Sequence, residues 1–315
     1  MQGMILVTGG TGFIGRSLVQ QLVGNGQKVR LLLRPSPRTP RIPRGVPVEV
    51  AVTSLNDEPG LRAAMRGIDT VYHLAGGEKQ GARTDLERID IDGTRTLAQV
   101  TSQARIKHLF FISHLGADRA SAFPLLKAKG IAEEFIRGSG IPYTIIRTSL
   151  VFGPGDNFTT SLASLLRWSP GFLPLPGKGL TLLQPLWIED LVTCLAWSLE
   201  DDSIVEKTLE LGGGEYLSLE QVTRQVMAVI HTPRLIMQFP NPYMRAITVL
   251  ADYIFPNFPS SVFWLDYLAV NRTCAIDALP RLFGLMPARL SDHLDHLRRK
   301  KRDWRWVKQL AGRHA

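Results

Sequence analysis

Cysteine is scarce in this chain: among 315 residues there are two, Cys194 and Cys274. They lie far apart and in no metal-binding spacing. That excludes a disulfide scaffold or a zinc ribbon and points to reduced thiols in a cytoplasmic-type compartment. No run of eighteen apolar residues occurs, so no transmembrane helix is expected. The N-terminal apolar run is too short for a secretory leader and runs straight into glycines. Internal repeats and low-complexity tracts are absent as well. A further absence is local. From Arg16 to Val48 there is not one Asp or Glu.

What is present is concentrated at the start. Met4-Ile5-Leu6-Val7 is a buried-strand pattern, Thr8-Gly9-Gly10-Thr11-Gly12 a turn, and Phe13, Ile14, Leu18, Val19 and Leu22 recur at helical spacing. Gly10-x-Gly12-x-x-Gly15 thus sits at a strand-to-helix junction, the context in which glycines let a backbone approach a pyrophosphate. The free amides and positive end of that helix favour the diphosphate. A carboxylate is expected about twenty residues further on, where it would bond a ribose 2′-hydroxyl. This chain has Arg34 there, with Arg38 in support, which favours a 2′-phosphate and hence NADP(H), with NAD(H) the alternative.

Strand and helix patterns then alternate. Strands are expected over 28–33, 48–52, 70–74, 108–113 and 143–147, and helices over 59–66, 86–104 and 126–139. This rhythm implies a doubly wound parallel sheet of Rossmann type, with residues 1–150 as the dinucleotide-binding core. Residues 151–297 are expected to complete the sheet and form a small C-terminal substrate lobe. Helices are expected there over 157–168, 188–199 and 218–230, the last with a Ser218–Gln221 capping box. Residues 234–290 are rich in aromatics and prolines and carry only weak strand signals. The net charge of +9 is uneven, because residues 298–315 hold eight Lys/Arg and one Asp, a basic tail.

With these motifs in hand, the chain resembles the atypical branch of the short-chain dehydrogenase/reductase superfamily. This branch is epimerase/dehydratase-like and includes the nucleotide-binding accessory subunit of respiratory complex I. The carriers are TGGTGFIG at 8–15, Arg34, YHLAG at 72–76, DIDGT at 90–94, FISHLGAD at 111–118, RTSLVFGPGDNF at 147–158, PLWIEDL at 185–191 and LELGGGEYLSLEQV at 209–222. The resemblance implies that Gly9, Thr11, Gly12, Phe13, Ile14 and Gly15 hold the pyrophosphate and Arg34 the 2′-phosphate. It implies that Leu74, Ala75 and Gly76 flank the adenosine, that Lys129 holds the nicotinamide ribose, and that Thr148, Leu150 and Val151 lie beside the nicotinamide. It implies redox or epimerase chemistry on a carbonyl or hydroxyl group.

The departures bear on that chemistry. The family pairs a Tyr with a Lys four residues later, and the lysine lowers the phenol's pKa so that it can exchange a proton near neutrality. Lys129 matches the lysine, but Leu125 stands at the tyrosine position. Ser113 matches the serine that orients a carbonyl oxygen. His114 could exchange a proton in the right pH range, but on a strand it should point away from Ser113. Asp90 stands where an asparagine is usual, and Thr53-Ser54-Leu55 where an aspartate-bearing turn is usual. Two functional classes therefore stay open. One is an NADP(H)-dependent oxidoreductase acting on a carbonyl or quinone-like molecule. The other is a non-catalytic, cofactor-stabilised binding or assembly factor for a membrane-associated complex.

Other polar residues have plainer readings. His293 and His296 share a helix face but lack a third ligand, so no metal site is expected. Glu189 and Asp190 suit a helix start. Lys127 is expected in solvent and Tyr143 in the core. The aromatics between Tyr243 and Tyr267 should line the substrate lobe and a mouth for a lipid-like molecule. The tail, with Trp304 and Trp306 among its cations, suits an anionic membrane surface or a protein complex, which would place the protein peripherally on the inner face of a membrane. No nucleic-acid module accompanies it.

Overall fold

The computed structural model describes residues 3–36, 42, 45–77, 85–254 and 262–298. The N-terminal half alternates as its pattern requires: β1 (Met4–Thr8), α1 (Phe13–Gly24), β2 (Lys28–Leu33), β3 (Glu49–Val52), α2 (Glu58–Ala64), β4 (Ile68–His73), α3 (Gly93–Gln103), β5 (His108–His114), α4 (Pro124–Arg137) and β6 (Tyr143–Thr148). The second half adds β7 (Val151–Phe152), α5 (Phe158–Trp168), β8 (Phe172–Pro176), β9 (Leu182–Leu183), β10 (Leu186–Trp187), α6 (Ile188–Trp197), β11 (Lys207–Leu211), β12 (Leu217–Ser218), α7 (Leu219–Ile230), β13 (Leu235–Phe239), α8 (Asn241–Ile254), α9 (Val262–Tyr267) and α10 (Ala278–Phe283).

Seven strands form one sheet in the order β11-β6-β5-β4-β1-β2-β3. Every pairing in it is parallel. The chain runs outward from β1 to β3, then crosses back to β4 on the other side of β1. Loops leaving the ends of β1 and β4 therefore diverge, and a crevice opens at that switch point. β11 joins the sheet from the second half of the chain.

Strand alternation divides the core into two layers. Val7, Leu31, Tyr72, Phe110, Ile112 and Ile146 pack with α1 and α6 on one face. Leu6, Leu32, Val71, Leu109, Phe111 and Ile145 pack with α2, α3 and α4 on the other. Each fully buried aliphatic side chain of this kind is worth about 1.5–3 kcal/mol. The Tyr72 hydroxyl, buried with them, donates to the Leu195 carbonyl at 2.6 Å.

The structure departs from expectation in three places. The helix expected over 86–104 opens with a π turn, Glu87–Asp92, before α3. The described residues of 234–290 hold one strand, β13, and three helices, α8, α9 and α10; Tyr243, Ile247 and Leu250 follow the helical period of α8 but are exposed, so Tyr243 does not line the lobe as expected. His293 and His296 lie on short 3₁₀ turns, not a solvated helix. His293 stacks on Trp187 with ring centroids 4.2 Å apart, and His296 lies 3.3 Å from the Thr159 hydroxyl. The capping box of α7 forms as expected, Lys127 is exposed, and Tyr143 packs against the second core layer. Asp190 accepts from the Ala288 amide at 2.8 Å and so ties down the C-terminal segment. Arg38 and the tail from Arg299 onward lie outside the described residues.

Candidate functional site

A cleft of about 730 Å³ follows the crevice from the β1–α1 turn to α9. Thr8, Gly9, Thr11, Gly12, Phe13, Ile14 and Gly15 form its floor at the first helix. The Gly12 amide donates to the Gly9 carbonyl at 2.8 Å and closes the turn. Gly9 has φ of +71°, and a Cβ there would sit 2.6 Å from the Leu74 carbonyl carbon. A Cβ on Gly15 would strike the Gly9 carbonyl. Larger residues would thus fill the cradle or push α1 off the sheet. α1 has no acidic residue in its first turn and no side-chain cap, so its leading amides face the cleft uncontested.

At one end of the cleft Arg34 is exposed just past β2, with Ser54, Leu55, Asn56 and Arg88 nearby along the wall. The acid of the β3–α2 turn is withdrawn. Asp57 caps α2 through the Gly60 amide and accepts from the Thr53 hydroxyl at 2.7 Å. Those bonds hold its carboxyl below the usual range. Leu74, Ala75 and Gly76 line the opposite wall.

Beneath the floor, His73 is fully buried between two hydroxyls. Its Nδ1 is 2.7 Å from Thr8 Oγ1 and its Nε2 2.9 Å from Thr94 Oγ1. Burial, aided by the Lys129 charge, lowers its pKa to about 3, so the ring is neutral.

Lys129 lines the cleft, but its ammonium is 3.1 Å from Asp90 Oδ1, with both side chains at most 3% exposed. The π turn aims Asp90 inward, and its other oxygen accepts from the Gly77 amide at 3.0 Å. The position held by asparagine in the family therefore carries the counter-ion of Lys129 here. Leu125 is buried one turn before it.

β5 turns Ser113 and His114 to opposite faces, as alternation requires. Ser113 shares the α4 face with Phe111. Its hydroxyl donates to Glu133 Oε1 at 2.7 Å. Glu133, with no exposure, also receives Arg147 and Arg137. Orienting a substrate carbonyl would require Ser113 to surrender that bond. His114 takes the other face, beside its register partner Thr148 and edge-on to the Tyr267 ring at 6.1 Å. Thr148, Ser149 and Val151 line the cleft here, whereas Leu150 packs into the core.

The far end is aromatic. Phe158, Phe263, Trp264 and Tyr267 close it, with Trp264 centred 4.9 Å from Phe158 and 5.6 Å from Tyr267. The individual aromatics could not be placed from sequence, because α9 meets β5 only in three dimensions. Among the described residues no three His, Cys, Asp or Glu side chains gather into a metal site. No helix among them is long and apolar enough to cross a membrane.

Comparison with known proteins agrees with this geometry. A family model described as NAD(P)H-binding matches residues 9–157. Subunit 9 of the mitochondrial NADH dehydrogenase [ubiquinone] 1 alpha subcomplex of Arabidopsis thaliana is 29% identical over 281 residues, 85% of this chain and 69% of that protein. The mouse counterpart is 26% identical over 96% of this chain and 81% of its own length. A ceramide reductase of Caulobacter vibrioides is 31% identical, but the match spans only 54% of this chain and 53% of that enzyme. Among solved structures, a Thermotoga maritima UDP-glucose 4-epimerase superposes with a TM-score of 0.70 at 20% identity, covering 93% of this chain and 97% of that one. A Staphylococcus aureus nucleoside-diphosphate-sugar epimerase gives 0.74 at 17% identity, covering 92% and 99%. The chain thus carries an NAD(P)H-binding domain over residues 9–157, has a fold like that of the sugar epimerases, and is similar in sequence to subunit 9 of the complex I alpha subcomplex.

Proposed function

We propose that the cleft binds NADP(H) and that the aromatic end beyond it takes an apolar carbonyl- or quinone-like molecule. The observation that carries this reading is the single continuous cleft, with the glycine cradle on its floor, Arg34 at one end and four aromatic side chains at the other. The diphosphate would lie against the amides of Phe13 and Ile14 and the 2′-phosphate against Arg34. The nicotinamide would lie beside Thr148, Ser149 and Val151, with His114 at hand. Bound there, the cofactor supplies or accepts hydride. This chain's residues hold it, exclude water and present the apolar end to a substrate.

Calorimetric titration with NADPH and NADH tests the reading. Tighter binding of NADPH, with the preference lost in Arg34→Glu, supports it. No binding of either nucleotide at millimolar concentration overturns it.

One pair of observations favours a second reading. Leu125 has no proton to exchange, and Lys129 is already engaged by Asp90. In that reading the nucleotide stabilises the fold by mass action, and the protein serves as an assembly or binding factor, as its similarity to a complex I subunit suggests. A nucleotide-dependent rise in melting temperature without oxidation of bound NADPH is the result that favours it.

A further inference from the structure

We propose that the outer face of the two-stranded β8–β13 ribbon, together with the basic tail that starts beside it, docks on an anionic lipid bilayer. The proposal stands independently of what the cleft holds.

β8 and β13 pair in parallel, with Phe172 beside Leu235, Pro174 beside Met237 and Pro176 beside Phe239. Alternation sends these six side chains to one face. Leu173, Leu175 and Ile236 take the other and pack into the first core layer. None of the outer six is polar. Parallel strands are ordinarily covered on both faces, yet Leu235 is 68% exposed, Met237 44% and Phe172 42%. Trp168, at the end of α5 and four residues before Phe172, is 54% exposed. β13 runs on through Pro240 into α8, where Tyr243, Ile247 and Leu250 are exposed as well. Single exposed apolar residues are ordinary, but apolar surface gathered in this way marks a docking face.

Charge selects the occupant. The stretches 157–188 and 221–251, which build this face, contain no Asp or Glu, whereas Arg167, Lys178 and Arg234 lie within them. Residues 298–315 add eight Lys/Arg against one Asp, with Trp304 and Trp306 among them. That basic run starts at the same place. Arg167 Nη2 donates to the Leu297 carbonyl at 2.6 Å, so the chain reaches Arg298 at the end of α5. Arg234 Nε donates to the Leu166 carbonyl at 3.0 Å and the Leu235 amide to the Gly171 carbonyl at 2.9 Å, so β13 begins there too.

Apolar side chains able to enter the headgroup layer, set beside a cluster of cations, give the two attractions that together hold a protein on an anionic membrane. A protein partner would ask for hydrogen-bonding groups, about one per 100–200 Å² of interface, and the ribbon's outer side chains offer none. A second copy would set like charge against like charge. A bilayer asks only for the apolar face and the cations.

Flotation of the full chain with vesicles tests this. The chain should float with phosphatidylcholine vesicles carrying about 30% phosphatidylglycerol and stay behind with phosphatidylcholine alone. Salt at about 1 M, where the Debye length is about 3 Å, should weaken the binding about tenfold or more. Arg299→Gln/Lys300→Gln/Lys301→Gln/Arg302→Gln should weaken it about 100-fold. Leu235→Thr/Met237→Thr keeps strand-forming residues at exposed positions, so its circular dichroism should match that of the wild type. Its binding to the anionic vesicles should nonetheless be about tenfold weaker or worse. Wild-type binding retained in that variant overturns the proposal, because the cations would then act alone. No flotation of the wild type with either vesicle overturns it and returns the face to a protein partner. Two vesicle-free results overturn it as well. A wild-type dimer that Leu235→Thr/Met237→Thr dissolves, read by sedimentation, gives the face to a second copy. Faster tryptic cleavage beyond residue 298 in that variant gives it to the tail itself.

Discussion

The Lys129 ammonium lies 3.1 Å from Asp90 Oδ1, and neither side chain reaches solvent. An ion pair this deep is stabilising only while both members are present. Asp90→Asn should therefore cost about 3–5 kcal/mol, because it strands a buried ammonium. The double variant Asp90→Asn/Lys129→Met should recover most of that loss. Denaturant unfolding of the two single variants and the double variant measures the coupling, and simple additivity would show that the pair is not a unit.

Arg34 stands at the cleft's polar end, and Asp57 is turned away into its helix cap. Arg34→Glu should weaken NADPH binding roughly 10- to 100-fold, the worth of one charge-assisted hydrogen bond or a little more. NADH affinity should change by less than threefold. Calorimetry with both nucleotides checks the asymmetry.

The Ser113 hydroxyl is bonded to Glu133, which also neutralises Arg147 and Arg137. Ser113→Ala removes one of several donors to that carboxylate. A loss of about 1 kcal/mol is expected, with NADPH affinity within twofold of wild type. Ser113 also lines the cleft, so a large loss of affinity would show that its hydroxyl contacts the nucleotide rather than serving Glu133 alone.

Burial, with the Lys129 charge, drives the His73 pKa down to about 3, and burial lowers His108 to about 4. Both rings are neutral in the folded protein, whereas the unfolded chain takes up protons at about 6.5. Stability is thus fully present above pH 6.5 and is lost as pH falls toward 3. Each ring contributes up to about 1.4 kcal/mol per pH unit inside its window. Unfolding free energies at pH 7, 5.5 and 4.5 should fall accordingly. His73→Gln should flatten the slope, even if it lowers the value at pH 7.

The sheet and the glycine cradle were legible in the sequence because they rest on local rules. Gly9 and Gly15 stand where the backbone excludes a Cβ, and β5 alternates so that Ser113 and His114 must part. The contacts that decide the chemistry are not local. Asp90 meets Lys129 through a π turn that no periodicity announces. Glu133 gathers Ser113 and Arg147 from two neighbouring strands. The helices of residues 234–290 were obscured because their aromatics suit strands equally well, and for α9 and α10 it is docking on the first core layer that settles the period.

The histidines of the last turns give the cleft a dependence on the chain's end. His293 lies flat on Trp187, while His296 meets Thr159 and stands 3.7 Å from Asp156. Asp156 in turn fixes the amides of Gly153 and Thr159, flanking the Gly155–Phe158 stretch that walls the nucleotide cleft. This chain of contacts predicts that nucleotide occupancy and docking of residues 290–298 are linked, so that a bound nucleotide slows proteolysis of 290–298. By reciprocity, a change that peels that strap away should weaken nucleotide binding by the same free energy.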